Sequence, residues 1–291
     1  MSEKSIPVER MRSEVALAEP YIIRISSLYD ARGIHDVSRP HRLNFSALIY
    51  ITEGEGVHYI DHQRYTVRAG TLLTLGRNQI HSFAKNRSVD GYVLPFNCTF
   101  LSSASNDPYF DVMIAALSHI NCLPSIGDDI DHLFSTMAAE FASTSEFKVE
   151  IIRGLLRSIM LKSVVPAFKA HYDDAPPVVT SNEFYRLKHF VDSHFSDRPS
   201  SLDIALALGK SVKQLDKLAK SHAGESVKEL VDGRVLLEAK RLLAFSQYSI
   251  ADIAAQLGFN EATNMTKFFK RHTDVSPKDF RQLCRMGLRQ K

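Results

Sequence analysis

Ser200-Ser-Leu-Asp-Ile-Ala-Leu-Ala-Leu-Gly209 lies over Ser249-Ile-Ala-Asp-Ile-Ala-Ala-Gln-Leu-Gly258 at an offset of 49 residues, with Ser, Asp, Ile, Ala, Leu and Gly coinciding. One residue is inserted after the glycine, and the register continues at an offset of 50. Leu215, Lys217, Lys220, His222, Ser226 and Lys228 then meet Met265, Lys267, Lys270, His272, Ser276 and Lys278. The C-terminal third therefore contains one helical unit twice.

Each copy reads as a helix, a tight turn and a second helix. Ser200 and Ser249 stand at N-cap positions with Asp203 and Asp252 three residues on, a pairing that satisfies the free N–H groups of a first helical turn. Ile204, Ala205 and Leu208, like Ile253, Ala254 and Leu257, mark a buried face. Gly209 and Gly258 end the helices. Leu215 and Leu218, or Met265 and Phe269, turn the second helix of each copy inward. The result is a helix-turn-helix at about 200–222 and another at about 249–272.

Between them, Ser226 and Glu229 form a further capping box, followed by helical periodicity from Leu230 to Leu242. The segment from Ser226 to about Ser246, taken as one helix of about 20 residues, rises ~30 Å, close to the ~34 Å between successive major grooves on one face of B-DNA. One chain can thus present two recognition helices to adjacent grooves of double-stranded DNA.

Ala205, Gly209, Ser211, Leu215, Gly224, Arg234, Ala239, Leu243, Ile253-Ala254, Gly258-Phe259, Phe269-Lys270, Pro277 and Arg281 together resemble the AraC/XylS-type transcriptional regulators over Glu183 to Gln282. Ala219, Met265 and Asp274 depart from that pattern, standing where Phe, an aromatic residue and Gly are usual. The resemblance implies a homodimer, more often an activator, working with RNA polymerase.

Among the outward positions of the first recognition helix, Lys213, Gln214, Asp216 and Lys217 are candidates for base contact; Lys suits guanine and Gln suits adenine. In the second, Ala262, Thr263, Thr266 and Lys267 take that place, the Ala and Thr methyl groups matching thymine. These positions also match those the family uses for base reading. Lys220, Lys270 and Arg271 lie farther along and are assigned to phosphates, which supply affinity without sequence information. Arg234, inside an amphipathic helix, is assigned to a structural ion pair.

Charge agrees with this division. Residues 181–291 hold 19 Lys plus Arg against 13 Asp plus Glu, net +6, whereas the whole chain carries only +3. The 291 residues suffice for two domains, and no run of 18 apolar residues is available to span a membrane. The first residues lack the apolar segment of a signal peptide, so a cytoplasmic location is expected. Cys98, Cys122 and Cys284 are widely separated, without a C-x-x-C pair, and read as reduced thiols.

Upstream, β-rich runs alternate with turns: Tyr21 to Leu28, Phe45 to Thr52, Gly56 to Asp61, Tyr65 to Val67, Thr71 to Leu75, Ile80 to Phe83 and Gly91 to Leu101. Gly54-Glu-Gly56, Asp61-His-Gln-Arg64 and Ala69-Gly70 serve as hairpin turns. The segment from Leu48 through His81 is similar to the jelly-roll, cupin-like sensor domain of many AraC-type regulators, although the usual proline before the histidine is missing. Helical stripes follow at Phe110 to Leu117, Ile130 to Phe141 and Val149 to Val164, with Asp107-Pro108 starting the first. These stripes cover the sensor core or pair with a second chain.

The expected architecture is α+β in two domains: a jelly roll over 1–105 with appended helices over 106–172, a linker at 173–182 around Pro176-Pro177, and an all-α DNA-binding domain over 183–291. His41, Glu53, His58, His62 and His81 raise a metal-binding reading, but without an H-x-H pair no metal is assigned and no cofactor is expected. His41, Tyr50, His58 and His81 are instead candidate contacts for a small-molecule effector. The competing classes are a cupin-type metalloenzyme with an accessory DNA-binding domain and a ligand-independent DNA-binding protein. The first would need converging metal ligands or a nucleophile with a base, and no such motif is present; no catalytic residue is assigned.

Overall fold

The computed structural model describes residues 5–9, 21–30, 36–61, 63–84, 88–102, 107, 109–171 and 182–289. His62, Pro108 and nearly all of the expected linker lie outside them. The chain divides into two compact units, Pro7–Val179 and Thr180–Lys291, the latter grouped with Met1–Ile6.

The first unit is built around one long strand. Its strands are β1 (Val8–Glu9), β2 (Ile23–Arg24), β3 (His41–Leu43), β4 (Ser46–Ile60), β5 (Gln63–Arg68), β6 (Leu72–Leu75), β7 (Ile80–Phe83), β8 (Val89–Phe96) and β9 (Cys122–Leu123). The first half of β4 pairs with β6 and β8, and its second half with β5 and β7. The register shifts between Ile51 and Glu53, a bulge that lets a single strand bend from one sheet into the other. This corrects the expected turn at Gly54-Glu-Gly56: Gly54 does take a left-handed φ of 82°, but inside the strand, where a Cβ would stand 1.9 Å from the Ser88 carbonyl oxygen. The expected strand over Tyr21 to Leu28 is likewise corrected, since only Ile23–Arg24 is extended and α1 (Ile25–Asp30) follows.

Both faces of the sheet are covered. Ala47, Ile49 and Ile51 pack inward with Ile60, Leu73, Leu75 and Val93. Leu48 and Tyr50 face a helical layer of α2 (Phe110–His119), α3 (Asp128–Phe141), α4 (Lys148–Ile159) and α5 (Val165–His171), joined to α4 by a π-helical turn at Met160–Val164. Ser46 to Ile51 is therefore buried without interruption, as expected where both faces of a strand meet apolar layers. Met113, Leu117, Phe134, Met137, Ile152, Leu156 and Ile159 form the apolar stripes of these helices and complete the core of the strand unit.

The second unit is all helical: α6 (Asn182–His194), α7 (Ser201–Leu208), α8 (Val212–Ala223), α9 (Val227–Phe245), α10 (Ile250–Gln256), α11 (Ala262–Thr273) and α12 (Pro277–Arg289), with a 3-10 turn at Phe195–Asp197. Reciprocal capping boxes start four of them, at Ser200 with Asp203, Ser211 with Gln214, Ser226 with Glu229 and Ser249 with Asp252. Gly209 and Gly224 close α7 and α8 in left-handed conformation, where glycine pays no Cβ penalty. Asp274 does the same for α11 at φ 60°, so the missing glycine noted in the sequence is met by strain tolerated at one residue.

Candidate nucleic-acid interface

Each recognition helix is held by its own buried row. Leu215 and Ala219 are fully buried in α8, and Met265, Phe268 and Phe269 in α11. Each packs against the first helix of its unit, α7 or α10, in which Ile204 and Ala205, or Ile253 and Ala254, are likewise buried. With one face fixed this way, the opposite face carries Lys213, Gln214, Lys217 and Lys220 in α8 and Thr263, Lys267, Lys270 and Arg271 in α11, all exposed. Ala262 and Thr266 are half-buried beside them, and the Thr266 hydroxyl donates to the Ala262 carbonyl at 2.9 Å.

Two candidates have structural engagements that the sequence reading missed. Asp216 is half-buried and its Oδ1 accepts the Val227 backbone N–H at 3.0 Å, joining α8 to the first turn of α9. It is a brace between the two helices, a role its outward position in the sequence did not suggest. Gln214 has its Oε1 in the capping box, 2.9 Å from the Ser211 backbone nitrogen. That leaves its amide N–H groups for a base; a bidentate pair with adenine needs the cap to open.

The spacing of the two recognition helices is set by α9, whose 19 residues rise ~28 Å. An ionic cluster ties this helix to α6 and the turn after it. Arg234 donates to Asp192 at 2.9 Å and to Glu238 at 3.1 Å, and its guanidinium lies 4.0 Å over the Phe195 ring. Arg241 reaches the same Glu238 at 3.7 Å, and both are buried. Arg234 thus has the structural role expected of it. At the far end the Arg281 guanidinium donates to the Leu243 carbonyl, placing α12 against α9.

In the strand unit, His41, His58 and His81 meet on the inner face. The His41 and His81 ring centroids are 4.2 Å apart, and His81 Nδ1 lies 3.2 Å from His58 Nε2. Glu9 approaches His41 Nε2 at 3.5 Å, while Nδ1 contacts the Arg39 carbonyl. Burial, aided by His41, lowers the His58 pKa to about 3, so this imidazole is neutral. Among the described residues no three His, Cys, Asp or Glu side chains are arranged to hold a metal ion.

Tyr50, the fourth candidate, lies apart from the three histidines. Its ring stacks on Phe134 at 4.5 Å in the helical layer, and its hydroxyl donates to Asp131 at 2.6 Å. Burial first, then that hydrogen bond, raises its pKa. A separate cleft of about 320 Å³ is lined by Ser26, Tyr29, Glu53, Ser88 and Asp90 among others. Arg24 pairs with Asp90 at 2.5 Å and with Glu53 at 3.7 Å. Burial pushes the Asp90 carboxyl up, but the Gly91 and Ser26 N–H groups and Arg24 outweigh it and hold its pKa below the usual value.

Comparison with known proteins matches each unit separately. Residues 204–283 match the model of a helix-turn-helix domain, and residues 25–153 match the AraC-like ligand binding domain. Together these segments take in well over half of the chain. The chain belongs to the AraC family. It is a DNA-binding transcriptional regulator that also carries a ligand-binding domain.

Similar curated proteins include the HTH-type transcriptional activator RhaS of Klebsiella pneumoniae (strain 342), 24% identical over 249 residues and covering 83% of this chain and 87% of the relative. RhaS of Salmonella agona (strain SL483) is 21% identical over 260 residues with the same coverage. Among solved structures, ToxT of Vibrio cholerae aligns with a TM-score of 0.41 at 15% identity, covering 90% of this chain and 97% of that one. The C-terminal domain of AraT from Geobacillus stearothermophilus aligns at 0.34 and 25% identity, covering 35% of this chain and 86% of that one. Among the described residues no helix is long and apolar enough to cross a membrane.

Proposed function

We propose that this regulator reads DNA with α8 and α11 in successive major grooves, and that a small molecule bound by the strand unit governs that binding. The observation that carries the reading is the pair of recognition helices tied to one 19-residue helix. Lys213, Gln214 and Lys217 of α8 and Ala262, Thr263, Thr266 and Lys267 of α11 are the base-reading residues in this account. Lys220, Lys270 and Arg271 reach phosphates. The test is selection of a binding site from random DNA, followed by hydroxyl-radical footprinting. Two protected patches about 10 base pairs apart on one face are expected; a single patch would contradict the two-groove arrangement.

For the effector, the histidine cluster is buried and closed off, whereas the cleft with Glu53 and Asp90 is open and carries two carboxylates. We assign entry of a small hydroxylated or amine-bearing molecule to the cleft. A thermal-shift screen of such compounds on the full chain, repeated with Ser88→Leu, tests this: a stabilising compound should lose its effect in the variant.

Activation through RNA polymerase, and a cytoplasmic location beside the chromosome, are supported by relatives that are named activators. A homodimer is supported by Phe147 and Ile151, one turn apart and both exposed, Phe147 at 64%. A regulator rather than an enzyme is the role supported by family membership.

A further inference from the structure

Arg198 lies outside both helix-turn-helix units, in the turn that follows α6, with a left-handed φ of 51°. That turn is pressed against the second unit: a Cβ on Gly258 would stand 2.0 Å from the Ser196 carbonyl oxygen. The Arg198 guanidinium lies 4.0 Å over the Phe259 ring and 5.2 Å from the centroid of Phe268. Its Nη2 is 3.7 Å from Asp232, a buried carboxylate of α9 that Arg271 also approaches at 4.0 Å. Its Nη1 is buried and, among the described residues, has no hydrogen-bond partner. A guanidinium stacked on an aromatic ring, half-neutralised by a shared carboxylate and left with an unused N–H pair, is prepared for a further acceptor.

The surroundings say which acceptor. Arg198 lines an open cleft of about 440 Å³ with Asn260, Asn264, Lys267, Phe268 and Arg271. Asn264, Lys267 and Arg271 fall on one stripe of α11, at spacings of three and four residues, and Asn260 precedes them. Three cations, Arg198, Lys267 and Arg271, thus line the cleft, and the one carboxylate that Arg198 and Arg271 approach leaves two positive charges beside the amide donors. Phosphodiester oxygens match that donor set, because guanidinium forks and amides both give N–H bonds to tetrahedral oxyanions. The cleft also borders the face of α11 assigned to bases, through Lys267.

We propose that this cleft takes a DNA backbone phosphate beside the bases read by α11, with Arg198 as its innermost ligand and Arg271 at its rim. The proposal rests on α11 being a DNA-reading helix. It adds a phosphate contact from a turn that belongs to neither helix-turn-helix unit, tying the first half of the domain to the second half-site.

The test is fluorescence-anisotropy binding of the full chain to its selected site, with single phosphates replaced in turn by neutral methylphosphonate. The wild-type chain should lose roughly tenfold in affinity at one phosphate flanking the second half-site, the scale of a charge-assisted hydrogen-bond pair. Arg198→Gln and Arg271→Gln should each lose that sensitivity at the same phosphate while keeping it elsewhere, and each should lower the salt slope by about one. Thermal melts check folding, and Arg271, 65% exposed, can be replaced without opening the core. If Arg198→Gln weakens binding yet stays as sensitive as wild type at every phosphate, Arg198 acts only by packing on Phe259 and the proposal is overturned. If the two variants map to different phosphates, the shared cleft is overturned. Insensitivity of the wild type throughout the second half-site would instead remove α11 from the DNA, which is a failure of the underlying reading.

Discussion

Lys217 and Lys220 stand three residues apart in α8, which places them ~60° apart around the helix and ~4.5 Å apart along it. Both are exposed, so neither substitution should disturb the packing of Leu215 and Ala219. Lys217 sits nearer the N-terminal end, the part of a recognition helix that meets base edges. Lys217→Ala should therefore cost ~1 to 3 kcal/mol on the selected site and relax preference at one base position, with little change on random DNA. Lys220→Ala should remove one phosphate neutralisation, reducing the slope of log affinity against log salt by ~0.9. Over a fourfold rise in salt, from 50 to 200 mM, the gap between wild type and Lys220→Ala should shrink ~3.5-fold, whereas the Lys217→Ala gap should stay constant. Anisotropy titrations on the selected site, its single-base variants and random duplex measure both quantities. Equal losses for both variants on every sequence, with equal salt slopes, would refute the division of labour within α8.

Three further outcomes follow from local geometry. Gly258→Ala must accommodate a Cβ 2.0 Å from a carbonyl oxygen at a left-handed φ of 72°, so it should destabilise the helical unit by more than ~2 kcal/mol in urea unfolding. A wild-type midpoint would show that the turn at Ser196 yields freely. Asp274→Gly relieves a non-glycine residue at φ 60° and should stabilise by roughly 0.5 to 1 kcal/mol, seen as a higher melting temperature; an unchanged or lower value would count against strain at that cap. His58, with its pKa lowered to about 3 by burial, binds its proton more readily in the unfolded chain. Its contribution is intact above pH ~6.5 and lost as pH falls towards 3, about 2 kcal/mol by pH 5. The pH dependence of unfolding between 7.5 and 5 should flatten in His58→Gln, and identical profiles would contradict a neutral buried imidazole.

The helical unit was legible because its signals are local. Ser200 and Asp203, Ser226 and Glu229, and Ser249 and Asp252 are three residues apart, and all three pairs form the capping boxes their spacing implies. Gln214 carries the same signal relative to Ser211, but reading it as an outward residue hid its part in a cap. The bracing contact of Asp216 was not legible because its partner, Val227, belongs to the next helix, and a contact across a turn leaves no periodicity. Arg198 escaped notice for the same reason: its stacking on Phe259 spans 61 positions.

In the strand unit, alternation fails where both faces are buried. Ala47 to Ile51 shows no alternation with polar residues, so nothing in the sequence separates Tyr50, which faces the helices, from Ile49 and Ile51, which face inward. Gly54 looks like a hairpin glycine, yet its left-handed backbone serves a strand that continues past a bulge. Ile25-Ser-Ser-Leu-Tyr-Asp30 carries Ile and Tyr, which suit a strand, yet it is helical and packs against β8.

Simultaneous reading of two grooves by one domain is tested most directly by perturbing the DNA, because the protein is left unaltered. Starting from the selected site, duplexes with zero to five base pairs inserted between the two footprinted patches are titrated with the full chain. Five added base pairs turn the second half-site by about half a helical turn, out of reach of α11 on a domain braced through α9. Affinity should fall on the order of 100-fold, to the level of a duplex with the second half-site scrambled. Affinity that stays constant across the series would contradict the account, because it would mean that α8 and α11 do not engage the same duplex together.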